Sequence, residues 1–230
     1  MSRWAHADHG VRWPAPSQDR SNDSLACLSL EAMQQPKYLY HLAEASNLPS
    51  ILTHGLLSTE RLTELSGMNE AARRVFLRSH RVSSVDLSPD ITVRDQRPMP
   101  PKALSPALEE GLEPEDWYEL LNGFVFLWPD AGRLERQRKA CGGRAQVILR
   151  FDANALFEAY GDVACMSPIN SGNARRRPAR RSRRTLVAYR QWRQFGWPDR
   201  PRSHPPAEVL FKAQIPVIAP FLVDADPPLL

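Results

Sequence analysis

Short apolar runs separated by polar, proline-punctuated stretches set the pattern of this chain, and the period of the apolar positions changes along it. Tyr38-Leu39-Tyr40-His41-Leu42 alternates aromatic and aliphatic residues, which predicts a first strand. Asn47-Leu48-Pro49-Ser50-Ile51-Leu52 then opens a short helix. Ser46 or Asn47 can cap it, Pro49 suits a first turn, and Gly55 ends it. Thr59 caps a second helix through Leu65, and residues 69–79 form a third. Residues 82–93 hold two short strands broken by Pro89. Residues 102–110 and 115–121 read as helices.

The continuous apolar run Phe124-Val125-Phe126-Leu127-Trp128, stopped by Pro129, predicts a central strand buried on both faces. A helix over 131–141 ends at Gly142-Gly143. A strand over 145–151, a helix over 153–160 and a strand over 163–166 follow. Strands are also expected over 185–189 and 207–213, and a last apolar stretch spans 217–223. Residues 1–35 are polar and aperiodic and read as a flexible extension, with a short helix near 28–35. The remaining 36–230 read as one domain. Early helices between strands, then a strand-rich second half, give an α+β class and not a regular β-α-β alternation.

Composition changes this picture in two places. Proline (21) outnumbers glycine (11), which favours rigid turns over long helices. The net charge of +4 is modest, yet seven arginines lie within residues 175–184: Arg175, Arg176, Arg177, Arg180, Arg181, Arg183 and Arg184. Such a block, in a loop over 173–184, either meets a polyanion, nucleic acid (DNA or RNA) or the pyrophosphate of a nucleotide, or is a solvated loop. The three cysteines, Cys27, Cys141 and Cys165, have no metal or disulfide spacing, so no metal is expected and a reducing cytoplasm is the expected location. No apolar run nears the length of about 20 residues that crosses a bilayer, and charges with Trp4, Trp13 and Pro14 break any signal-like stretch. Neither a G-x-G-x-x-G turn nor a P-loop is present.

Three residues stand out as candidate chemistry. His41 lies mid-strand. Glu208 opens the apolar run Glu208-Val209-Leu210-Phe211, where a carboxylate is costly to bury without a partner. Arg94-Asp95-Gln96-Arg97 closes a short strand. Read singly, each has a structural explanation: a hydrogen-bonded core histidine, an edge-strand acid, a polar turn.

Taken together, and in this order, they carry a resemblance. Tyr40-His41 followed by Asn47-Leu48-Pro49-Ser50-Ile51-Leu52, Gly55-Leu56-Leu57-Ser58, the strand ending Trp128-Pro129, and Ala207-Glu208-Val209-Leu210 before Ile215-Pro216 resemble DarT-type ADP-ribosyltransferases. Arg94-Asp95-Gln96, Trp117-Tyr118 with Leu121-Asn122, and Ile169-Asn170-Ser171-Gly172 resemble an uncharacterised bacterial family with the same N-terminal pattern. The resemblance spans residues 38–223. It implies an ADP-ribosyltransferase-like split, mixed β-sheet core with flanking helices, and NAD as the substrate. It implies that His41 holds the adenosine-side ribose, that Arg94 or Arg97 engages the phosphates or the target, and that Glu208 acts at the nicotinamide ribose. Tyr40, Leu42, Asn47 and Phe126 are expected to complete the dinucleotide contacts, and Glu208 and Arg94 to carry catalysis. Where DarT proteins have a Tyr- and Pro-rich run after the central strand, this chain has Asp130-Ala131-Gly132-Arg133, so the acceptor is left open between nucleic acid and protein. An antitoxin or immunity partner also fits the resemblance. The contrasting expectation is an inactive nucleic-acid-binding module that uses the arginine loop.

Overall fold

Burial alternates along Gln146–Asp152, a strand that pairs antiparallel with Tyr38–Glu44, and Leu39, Val147, Leu149 and Phe151 turn to one buried face. The structure, a computed structural model, describes residues 35–227. The expected extension over residues 1–35, apart from residue 35 itself, and nearly all of its short helix lie outside the described residues.

In chain order the elements are β1 (Tyr38–Glu44), α1 (Leu48–His54), β2 (Leu56–Leu57), α2 (Thr59–Leu65), α3 (Glu70–Arg78), β3 (Val85–Ser88), β4 (Ile91–Val93), α4 (Pro101–Leu104) and α5 (Pro114–Asn122). They continue as β5 (Phe124–Leu127), α6 (Ala131–Ala140), β6 (Gln146–Asp152), α7 (Ala153–Tyr160), β7 (Ala164–Ser167), β8 (Val187–Ala188), α8 (Tyr189–Phe195), β9 (Glu208–Lys212), β10 (Gln214–Ile215) and β11 (Leu222–Asp226). The class is α+β, as expected. Strands order as β1-β6-β11 in one sheet and β5-β9-β7-β8 in another, with two-stranded pairs β10-β2 and β3-β4. Every pairing between these strands is antiparallel, where a mixed sheet was expected.

The two larger sheets share one core. Leu39, Leu149 and Phe151 from the first meet Leu127, Met166, Val209 and Phe211 from the second, with Leu156 and Trp192 packed from α7 and α8. The sheets touch at one corner, where Tyr40 and Trp128 exchange backbone hydrogen bonds of 2.9 and 2.7 Å. A second cluster of Met99, Leu104, Leu108, Trp117, Tyr118 and Leu121 covers the other side of β5 through Phe126.

That two-sided cover explains a misplacement. β5 was expected at the centre of its sheet and lies at its edge. Val125 and Leu127 face the first cluster, while Phe124 and Phe126 face the others. A continuous apolar run reports burial of both faces, not position in the ladder.

Three further elements differ from expectation. The helix expected over 102–110 stops at Leu104 and tightens into a 3-10 turn at Ser105–Ala107, after which Leu108 bridges to Arg181. The strand expected over 185–189 shrinks to β8, and α8 takes over from Tyr189. α8 buries only Trp192, so its polar residues hid the helical period. Ser58, not Thr59, caps α2 by accepting from the Arg61 amide.

Gly55 ends α1 as expected, and its φ of 79° is one that L-residues with a side chain rarely adopt. A Cβ there would collide with the carbonyl of Ile215, so glycine is what lets β10 dock beside α1. Among the described residues, no helix is long and apolar enough to cross a membrane.

Candidate active site

A strand histidine surrounded by apolar neighbours has to satisfy its ring locally. His41 does so through Nδ1, which lies 2.9 Å from the carbonyl oxygen of Phe126. A carbonyl only accepts, so Nδ1 carries the proton and Nε2 keeps its lone pair. Burial, helped by the nearby Arg94 charge, lowers the pKa of His41 to about 4, although the hydrogen bond to Phe126 opposes the shift. The ring is therefore a neutral acceptor at physiological pH.

Glu208, the first residue of β9, is 4% exposed. Its Oε2 accepts from both the amide (2.9 Å) and the hydroxyl (2.6 Å) of Ser171. Burial pushes its pKa up to about 7 despite those two bonds and despite the charges of Arg133 and Arg181, which pull the other way. Ser171 is itself held: Trp117 Nε1, from α5, donates to its carbonyl at 3.2 Å. Thus Trp117, Ser171 and Glu208 form one buried chain of contacts. Among the described residues, Glu208 Oε1 has no hydrogen-bond donor.

His41 and Glu208 line one cleft of about 690 Å³. That size falls in the range of roughly 300–1,000 Å³ usual for small-molecule sites. Leu42, Asn47, Arg94, Arg97 and Phe126 line the same cleft, whereas Tyr40 does not. Tyr40 is the departure from the expected set: its backbone forms the bridge to Trp128 that joins the sheets. Asn47 is a strap as well as a wall residue. Its amide donates to Thr92 O (2.9 Å) and accepts from Thr92 N (2.7 Å), tying α1 to β4, and it makes no side-chain cap on α1.

Around Arg94 the charges interlock. Arg94 Nε donates to Glu44 Oε1 at 2.8 Å, and Arg144 donates to the same oxygen at 3.0 Å and to Asp95 Oδ2 at 3.0 Å. Arg97 is exposed at the rim, with Nε on the carbonyl of Val82. Arg81 is 8% exposed and lines the cleft; it donates to Arg94 O (3.3 Å) and Asn122 Oδ1 (2.9 Å) and makes no ion pair among the described residues. Burial lowers its pKa to about 10, with Asp95 opposing.

The arginine loop divides. Arg175, Arg176, Arg177, Arg180, Arg183 and Arg184 are exposed, and Arg175 reaches the cleft wall. Arg181 is the correction: at 1% exposure it cannot meet a polyanion. Its guanidinium donates to the carbonyls of Ala179, Asn170 and Asn173, and its backbone pairs with Ala107 and Glu109. Loop carbonyls turned inward need a donor, and one arginine of the run supplies it. No group of three or more metal-ligating side chains occurs among the described residues.

A family model described as a family of unknown function, DUF7002, matches residues 37–222. The chain belongs to DUF7002. No curated protein and no solved structure matches the chain. The DUF7002 span opens just before β1 and closes at the first residue of β11, so His41, the charge cluster and Glu208 all fall inside it.

Within the DUF7002 span, sequence reasoning missed Glu44, Arg81, Asp95, Arg144 and Ser171 as wall or supporting residues. Two carried a signal, since Asp95 and Ser171 belong to the short polar blocks around Arg94 and Asn170. Glu44 carried a weaker one, as an acid at the end of an apolar strand. Arg81 and Arg144 carried none, because their partners come from distant segments.

Proposed function

We propose that this protein is an NAD-consuming ADP-ribosyltransferase-like enzyme, with Glu208 acting at the nicotinamide ribose. The observation that carries the reading is the shared cleft: a neutral His41 with a free acceptor nitrogen and a buried Glu208 open into one dinucleotide-sized space. Two packed antiparallel sheets joined at the Tyr40–Trp128 corner are compatible with the split ADP-ribosyltransferase-like core.

The chemistry matches the residue types. As the bond between ribose C1′ and the nicotinamide nitrogen breaks, its electron pair leaves with nicotinamide and the ribose becomes oxocarbenium-like. An ionised Glu208 accepts a hydrogen bond from a ribose hydroxyl and stabilises that positive charge in a water-poor wall. It then takes the proton of the nucleophile that attacks C1′. Ser171 holds Oε2 in place and leaves Oε1 for the substrate. His41 Nε2 accepts from a hydroxyl of the second ribose. The half-buried Phe126 offers a face for a planar ring.

The exposed arginines beside the cleft favour a nucleic-acid acceptor held by its phosphates. They equally support a second reading, an inactive fold that only binds nucleic acid. Nicotinamide release from NAD separates the two. Glu208→Ala is expected to lower release by at least about a hundredfold, as removal of a positioned charge-stabilising or general-base group does. Equal release by variant and parent would remove Glu208 from the mechanism. No release by the parent, together with salt-dependent nucleic-acid binding, would favour the second reading.

A further inference from the structure

The charge cluster in the cleft wall does not balance. Glu44 and Asp95 supply two negative charges, and Arg94 and Arg144 answer them in three contacts of 2.8 to 3.0 Å. Arg81 is left over. It is more than nine-tenths buried, lines the cleft and makes no ion pair among the described residues. Its Nη1 has no hydrogen-bond partner and is shielded from solvent, and the same holds for Arg94 Nη2. The Arg81 guanidinium packs over the ring of Phe76, and Asn122 and the carbonyl of Arg94 fix it from the sides. It has little freedom to swing out to water.

A buried cation with an unused N–H is costly unless an anion meets it. We infer that Arg81, together with the spare nitrogen of Arg94, forms the anion-binding end of the cleft and takes a diphosphate. Arg94 by itself is a poor anchor, because Glu44 already neutralises it; Arg97 sits exposed on the rim with Nε committed to a carbonyl. The anchoring charge is therefore Arg81, which no sequence pattern marked. Glu44 and Asp95 are positioning residues that hold Arg94 and Arg144 and temper the field. This deepens the transferase reading and rests on it for the identity of the diphosphate as part of NAD; the anion site stands on the charge arrangement.

The test titrates inorganic pyrophosphate into the full chain at fixed ionic strength and reads binding calorimetrically. The parent is expected to bind, and Arg81→Met to bind at least about tenfold more weakly, the loss expected for charge-assisted hydrogen bonds. Undiminished binding by Arg81→Met, or none by the parent, would overturn the site. If Arg81→Met fails to fold, Arg81→Lys and Glu44→Gln decide. The first should weaken binding severalfold because it loses the planar fork, and the second should tighten it by removing a competing acid. No change in either overturns the proposal. Nicotinamide release keeps the two readings apart. Pyrophosphate binding through Arg81 without release leaves the anion site and removes the transferase. Release with the same NAD dependence in Arg81→Met does the reverse.

Discussion

Glu208→Gln is expected to make the protein more stable at alkaline pH while silencing it. In the folded chain the carboxyl titrates near 7, against 4.5 for a free glutamate, chiefly because it is buried. Folding therefore binds its proton more tightly by about 3 kcal/mol, at about 1.4 kcal/mol per pH unit. Between pH 4.5 and 7 the folded state holds more protons than the unfolded one, so stability falls as pH rises through that window and levels off above it. The substituted amide keeps an oxygen for the two Ser171 donors and carries no charge, so the decline disappears. His41 works in the opposite sense. Its folded pKa of about 4 lies below the ordinary 6.5, so its contribution is present above 6.5 and lost as pH falls toward 4. In the parent the two slopes nearly cancel from pH 4.5 to 6.5. In the variant the histidine slope stands alone. Urea unfolding followed by tryptophan fluorescence at pH 4.5, 6.5 and 8.5 measures this. The variant should match the parent at the lowest pH and exceed it by about 3 kcal/mol at the highest, or roughly 6–12 °C in melting temperature for a chain of this size. Parallel pH profiles for the two proteins would refute both the raised pKa and the burial that causes it.

Other expectations are narrower. Ser171→Ala removes one of the two donors on Glu208, so the alkaline onset of nicotinamide release should move to higher pH; an unmoved pH–rate profile would separate Ser171 from the acid. Arg181→Met strips the donors from three loop carbonyls and should destabilise by about 2–4 kcal/mol in chemical unfolding, whereas a nucleic-acid-contacting surface arginine would cost nearly nothing. Gly55→Ala combines a left-handed φ with a collision at the Ile215 carbonyl, and a loss of about 2–4 kcal/mol in the same assay is expected; a loss under about 0.5 kcal/mol would mean that α1 and β10 are not pressed together there.

Local order in the sequence determined most of the elements. The alternation around Tyr38, the Pro49 and Gly55 punctuation of α1, and the apolar runs at Phe124 and Glu208 all act over a few residues, where backbone sterics and side-chain period decide the outcome. His41, Arg94 and Glu208 could be singled out for the same reason: polar groups in apolar strands, or closing them, are conspicuous. Their meeting in one cleft was not decided locally. It depends on two sheets closing on a common core, which brings the Phe126 carbonyl to His41 and the Ser171 loop to Glu208. The roles of Arg81, Arg144 and Arg181 belong wholly to the tertiary structure. An arginine's charge is fixed by its sequence, but whether it pairs, struts a loop or waits for an anion is set by which carboxylates and carbonyls the rest of the chain places around it.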